Sequence, residues 1–183
     1  MVRRPRSTRL PLAVEAEVIR TGRLTLLPLL VEHAEELAAA LSDPDLHTFI
    51  GGAPATPEAL RTRHERLVAG SPDPAVTWCN WVIQLRDQDC LVGTVQATVT
   101  TVGNGKAAEI AWVVGTHWQR RGIATEAARG LVAWLRRQQV RTLVAHIHPD
   151  HAASAAVAAA AGLTPTSQEQ EGEIRWELRE EGG

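Results

Sequence analysis

The chain reads as a single α/β (α+β) domain built on one mixed, mostly antiparallel sheet of six to seven strands flanked by about four helices. Two observations predict this. Residues 76–114 hold three apolar strand patterns in succession, Val76 to Arg86, Leu91 to Val102 and Ala107 to Val114, parted only by the short turns Asp87-Gln88-Asp89 and Gly103-Asn104-Gly105. Turns that short join antiparallel neighbours. Then the pattern changes: a short loop leads into a helical stretch, Thr125 to Arg137, with Ala127, Leu131, Trp134 and Leu135 at helical spacing, and a buried-type strand, Thr142 to Ile147, follows. A strand, a helix and a second strand make a parallel crossover.

The other elements follow in order. Val18 to Leu30 is expected as an extended strand ending at Pro28, and Glu32 to Leu41 as a helix whose apolar face is Ala34, Leu37, Ala38 and Leu41. Ser42-Asp43-Pro44 stops it, because the residue before a proline is pushed out of the helical region. Phe49 to Pro57, with Gly51-Gly52 and Pro54, is expected as loop, and Thr56 caps a helix from Pro57 to Ala69. The alanine-rich stretch from Pro149 to Ala161 is expected as a helix closed by Gly162. Leu163 to Gln170 and Glu173 to Arg179 make a last hairpin across Glu171-Gly172. Residues 1–17, with Arg3, Arg4, Arg6 and Arg9, are expected as a flexible basic arm, and residues 18–180 as the domain.

Bulk properties narrow the class. A length of 183 residues with 44% hydrophobic and 22% charged content suits one soluble core rather than a disordered chain. A net charge of −2 creates no field that would gather nucleic acid, and such a partner is not expected. The longest apolar runs fall short of the roughly 18–20 residues that span a bilayer, so no membrane partner is expected. Cys79 and Cys90, the only two cysteines, form neither a metal-ligand spacing nor a disulfide framework, and a reducing, cytoplasmic setting is the simplest. His146, His148 and His151 with Glu109 lack a known ligand spacing, and no metal is expected.

The segment Gln119-Arg120-Arg121-Gly122-Ile123-Ala124 carries the chemistry. It lies where a strand gives way to a helix, at the C-terminal end of the strand, where open sheets bind ligands. A helix start presents N–H groups without intrahelical partners and partial positive charge, which suits a pyrophosphate. Gly122 lets backbone approach closely, while Arg120 and Arg121 offer donors for phosphate oxygens or serve as solvated surface charge. The spacing matches neither the Gly-Lys-Ser/Thr loop nor the G-x-G-x-x-G turn.

The hexapeptide resembles the Q/R-x-x-G-x-G/A signature of the GNAT acyltransferases. Thr21 to Leu29, Leu91-Val92-Gly93-Thr94, Thr125-Glu126-Ala127 and His151-Ala152-Ala153-Ser154 with Ala161-Gly162-Leu163 resemble, in order, segments of its Rim-type branch, which acetylates ribosomal-protein N-termini. The resemblance spans about residues 20–179. It implies an acetyl-CoA-dependent N-acetyltransferase in which the strands ending at Val114 and Ile147 splay apart, often helped by a bulge in the first. Freed backbone at Trp112, Val113 and Val114 would then meet the pantetheine, and Gln119, Arg120, Arg121, Gly122, Ile123, Ala124 and Thr125 the phosphates. His151 stands where relatives more often have an Asn that bonds the pantetheine. The resemblance also allows a homodimer through the last strands.

Transfer to an amine needs a base for the proton the amine loses. Glu109, three residues before Trp112, is the candidate, on the face of Ala111 and Val113; the alternative is a polar strand residue satisfied by a neighbouring arginine. Many relatives protonate the departing thiolate with a Tyr, but this chain has none, and Ser154 is the candidate near the sulfur. Glu126 more simply complements the helix dipole. On the acceptor side, Trp78, Asn80 and Trp81 with Phe49 and His47 could wall a pocket, or the tryptophans could be ordinary core. The acceptor is expected to be a protein or peptide N-terminus; a small amine and a non-catalytic CoA-binding module are the alternatives.

Overall fold

The computed structural model describes residues 13–180. The order of elements is β1 (Ile19–Arg20), β2 (Leu24–Pro28), α1 (Ala34–Ala40), α2 (His47–Ile50), α3 (Pro57–Ala69), β3 (Val76–Leu85), β4 (Cys90–Val102), β5 (Gly105–Val114), α4 (Ile123–Arg137), β6 (Val140–Ile147), α5 (Ala152–Ala160), β7 (Thr164–Gln170) and β8 (Glu173–Arg179). One eight-stranded sheet runs β1-β2-β3-β4-β5-β6-β8-β7, antiparallel except for the β5–β6 pair. The mixed, mostly antiparallel sheet therefore stands as expected, with more strands and helices than counted from the sequence.

Strand alternation divides the core in two. On one face, Trp81, Ile83, Val95, Ala97, Ile110, Leu143 and Ala145 pack against Ile123, Ala127, Leu131, Trp134 and Leu135 of α4. On the other, Val82 and Leu91 pack with Leu29 and with Leu37 of α1, joined by Leu60 and Leu67 of α3. Trp81 is fully buried, stands edge-on to Trp134 with ring centroids 5.1 Å apart, and donates its Nε1–H to the Glu17 carbonyl at 2.8 Å. It is core, and its ring lies on the face away from α1 and α3.

Several boundaries differ for long-range reasons. The strand expected over Val18 to Leu30 is broken at residues 21–23, because Arg86 reaches back to donate to the carbonyls of Thr21 (2.7 Å), Gly22 (2.5 Å) and Leu24. Packed structure also begins earlier than residue 18: Val14 is 4% exposed, and the Glu17 carboxylate accepts from Trp134 Nε1 at 3.2 Å. The rest of the basic arm, residues 1–12, lies outside the described residues. The stretch expected as loop opens with the single turn of α2, and α4 starts at Ile123 rather than Thr125. Among the described residues no helix is long and apolar enough to cross a membrane.

Two irregularities shape the sheet around β5. Ile83 pairs with Gly93 while Gln84 pairs with Leu91, so Val92 is an extra, bulged residue in β4. A Cβ at Gly93 would sit 2.0 Å from the Val113 carbonyl oxygen, so only glycine lets β4 lie this close to the end of β5. The second bulge is at Arg141 in β6, since Lys106 pairs with Val140 and Ala107 with Thr142.

Candidate active site

Strands β5 and β6 are paired only from Lys106 to Glu109; the last partners are Glu109 and Val144. Beyond that point β5 stays with β4 as far as Val114, and β6 stays with β8 as far as Ile147. A wedge thus opens between them, as the resemblance implied. The bulge expected in the first strand at the opening is not there; the two bulges found are in β4 and at the start of β6. The Gly115 N–H bonds the Val92 carbonyl at 2.8 Å, which fixes the phase of β5. By alternation the main-chain groups of Val113 also face β4, while those of Ile110, Trp112 and Val114 face the wedge. Val113 is corrected accordingly: its backbone is spent on β4, and it meets the other cleft of the molecule, described below.

At the floor of the wedge, Gly122 is the N-cap of α4 in the left-handed region (φ 74°, ψ 11°), and it supplies no side chain to cap the helix. The Glu126 N–H is the first to bond back, to the Gly122 carbonyl at 3.0 Å. The N–H groups of Ile123, Ala124 and Thr125 are left without intrahelical partners, the arrangement that binds anions. Arg120 also has positive φ (62°), so two left-handed residues turn the loop inward. The Arg120 and Arg121 side chains are exposed, and among the described residues neither guanidinium makes an ion pair.

This loop is fastened at three points. Gln119 Nε2 donates to the Val114 carbonyl at 3.0 Å, so the side chain ties loop to strand and uses one wedge-facing oxygen. Arg23 Nη1 donates to the Arg121 carbonyl at 2.8 Å, and its Nε donates to Glu126 Oε2 at 2.8 Å. Glu126 Oε1 accepts from the Arg23 N–H and the Thr21 hydroxyl, each at 2.6 Å. Burial alone would push the Glu126 carboxyl up, but these hydrogen bonds and the Arg23 charge hold it below the usual carboxylate range. Glu126 is therefore a clamp between the β1–β2 turn and the helix start, more than the dipole partner expected. Arg23 and Thr21 were not foreseen as site residues, although both lie in a segment already set apart by resemblance.

Glu109 stands where the wedge opens, its side chain 60% exposed, and it accepts from Nδ1 of His146 at 3.2 Å. A carboxylate only accepts, so His146 Nδ1 carries the proton in this pair. The partner found is a histidine on β6, 13% exposed, where the alternative reading had a neighbouring arginine. Past the end of β6, Ser154 Oγ lies 3.4 Å from His151 Nε2. The His151 ring stacks on Phe49 (centroids 4.5 Å apart, 12° between planes), and His148 lies 5.3 Å from the same ring. Burial, then the nearby His148, lowers the pKa of His151 and favours its neutral form. Burial pushes the Cys79 thiol up to about 11 and also raises Cys90, so neither is poised as a nucleophile. Among the described residues no three His, Cys, Asp or Glu side chains gather to hold a metal.

On the α1–α3 side of the sheet, a cleft of about 480 Å³ runs from Ala111, Trp112 and Val113 to α3. His47 and Asn80 line it as expected, but Phe49 has moved to the His151 stack and Trp81 meets the cleft without its buried ring. Leu60, Arg63, His64 and Leu67, one face of α3, line its far side and were not foreseen, though their spacing of three and four residues was readable.

The comparisons agree with this geometry. A family model described as an acetyltransferase (GNAT) domain matches residues 23–164. Comparison with curated proteins returns no match. A Salmonella typhimurium acetyltransferase that modifies the N-terminal serine of a 50S ribosomal subunit protein superposes with a TM-score of 0.72 at 17% identity, covering 90% of this chain and 100% of that one. RimL, a ribosomal α-N-protein acetyltransferase in complex with coenzyme A, gives 0.70 at 18% identity over 89% and 98%. The microcin C7 self-immunity acetyltransferase, in complex with acetyl-CoA and AMP, gives 0.70 at 17% over 87% and 93%. At these identities the structural likeness speaks for the fold, while the family model extends over most of the sequence. The chain belongs to the GNAT acetyltransferase family.

Proposed function

We propose that the protein transfers an acetyl group from acetyl-CoA to a primary amine, with Glu109 as base. The observation that carries the reading is the conjunction of an uncapped, left-handed helix start at Gly122 with a β5 edge that leaves β6 after Glu109, at Trp112 and the Val114 N–H. The residues fit the donor. N–H groups of Ile123, Ala124 and Thr125, with Arg120 and Arg121 beside them, suit the phosphates; the wedge-facing groups of Trp112 and Val114 suit the pantetheine amides, as an added strand would. His151 and Ser154 flank the other wall of the wedge.

When bound, acetyl-CoA supplies a thioester carbonyl already activated toward an amine. The protein's tasks are to place the amine and take its proton. Glu109 accepts the proton released as the C–N bond forms, and its second oxygen stays with His146, which fixes the carboxylate's orientation. The Ser154 hydroxyl donates a hydrogen bond to the sulfur freed as the C–S bond breaks, which eases departure in a chain without tyrosine. The proton on Glu109 then passes to solvent, to which it is open.

For the acceptor, a protein or peptide N-terminus is the first expectation and a small amine the second. The cleft supports the second: about 480 Å³ is the size of small-molecule sites. The two relatives that act on ribosomal proteins and the one that confers microcin immunity stand on either side of this choice. Incubation with acetyl-CoA and a panel of amines, read by free-thiol release and by mass spectrometry of the products, tests the reading. Thiol release that depends on an amine and falls in Glu109→Gln supports it; acetyl-CoA binding without turnover on any amine turns it toward a non-catalytic module.

A further inference from the structure

We infer that the acceptor is an amine with an apolar body and one anionic group, a carboxylate or a phosphonate-like group, which Arg63 receives. This deepens the reading above and rests on it.

The lining of the α1–α3 cleft carries the inference. Its walls are aliphatic: Leu29, Leu37, Leu41, Leu46, Ile50 and Leu67. Its polar groups near the sheet are neutral, Asn80, Thr94 and Gln96. Among the described residues no aspartate or glutamate lines it, and Arg63 is the one arginine or lysine that does. A polyamine or a polycationic antibiotic would leave its additional ammonium groups in this cleft with no carboxylate to meet them, which is costly.

Arg63 is exposed on α3, the helix that packs on α1, and it lines the cleft. The stripe Leu60, Arg63, His64, Leu67 is the face of α3 that meets the cleft, and both leucines pack on the second core. Among the described residues the Arg63 guanidinium makes no ion pair and no hydrogen bond to a side chain or carbonyl. Beside it, His64 is 3% exposed and bonds the Leu30 carbonyl through Nδ1 at 3.2 Å, which makes Nε2 the nitrogen without a proton. Burial first, and then His33 and Arg63, lower its pKa against the Leu30 bond, which raises it; the net shift favours the neutral ring. Arg63 thus presents a fork of donors at the α3 side of an apolar slot whose opposite side is the β5 segment Ala111 to Val113. An amine whose apolar body fills this slot can leave its anion with Arg63.

The test compares matched acceptors with the full chain: leucine, phenylalanine, leucine's aminophosphonate analogue, leucinamide, isopentylamine and spermidine. The expected result is a specificity constant for the anion-bearing amines about five- to tenfold above that for leucinamide and isopentylamine, the size of one partly exposed charge-assisted contact. Arg63→Gln should bring that ratio to near one, and Arg63→Lys should restore part of it. Because the ratio is compared between variants, differences in amine basicity cancel. The carboxylate and phosphonate arms tell which anion is preferred. A ratio unchanged in Arg63→Gln, a preference for spermidine, or acetyl-CoA binding with no transfer to any of these amines would overturn the acceptor class. Absence of acetyl-CoA binding by calorimetry would instead remove the transferase reading beneath it, and a variant that binds acetyl-CoA as the parent does is shown to be folded.

Discussion

The wedge between β5 and β6 and the cleft on the α1–α3 side are built in opposite ways. The wedge is made of backbone: a strand edge that has left its partner, an uncapped helix start and a loop held by hydrogen bonds that Gln119 and Arg23 donate, the latter in part to the Glu126 carboxylate. The cleft under α1, α2 and α3 is made of side chains, mostly aliphatic, brought together by helix packing. Backbone recognition tolerates change in nearly every side chain but demands fixed glycines and fixed strand geometry. Side-chain recognition can be retuned residue by residue. The difference teaches where to look for a shared chemistry and where for a specificity peculiar to this chain.

Substitutions that break one cleft and spare the other sharpen the contrast. The largest effect is expected from Gly93→Ala, because the new methyl overlaps the Val113 carbonyl; a loss of about 3 kcal/mol in denaturant-measured stability should accompany weaker acetyl-CoA binding. Glu109→Gln should lower kcat by about a hundredfold and flatten the pH–rate profile while acetyl-CoA affinity holds, read by steady-state kinetics and calorimetry. An unaltered profile would remove Glu109 as base. Gly122→Val should weaken acetyl-CoA by about tenfold, since a β-branched residue is strained at φ 74°, and should leave the α1–α3 cleft as it was.

The smallest effect is expected at the clamp. Glu126→Gln should cost about 1 kcal/mol, with the loop more open to proteolysis. The carboxyl is held below its usual range in the fold, so its contribution is complete above the unfolded pKa and is lost as pH falls through the folded one. The stability difference between wild type and Glu126→Gln should therefore be full near neutrality and shrink on acidification. A difference that grows in acid would contradict the clamp.

The same contrast explains what could be read from the sequence. The phosphate-binding side of the wedge was legible because its parts are local: strand, glycine and helix start all sit between residues 109 and 125. Its fasteners were not, since Arg23 and Arg86 act on residues far along the chain, and no spacing rule links Arg23 to Glu126. The partner of Glu109 was not legible for a related reason: His146 faces it only because β5 and β6 run parallel in one register. Val113 was misassigned because the phase of β5 depends on the Gly115–Val92 bond. The acceptor cleft was the least legible, for it is assembled from three helices and three strands. Arg63 and His64 lie in a polar helix, PEALRTRHERLVA, whose sequence does not mark them out.

The most direct test of the central claim is a nitrogen-15 amide NMR titration of the folded protein with acetyl-CoA. The account predicts saturable shifts concentrated at the amides of Gly122 to Thr125 and at Trp112 and Val114. Saturable shifts confined to other residues, or no shifts at all, would contradict it.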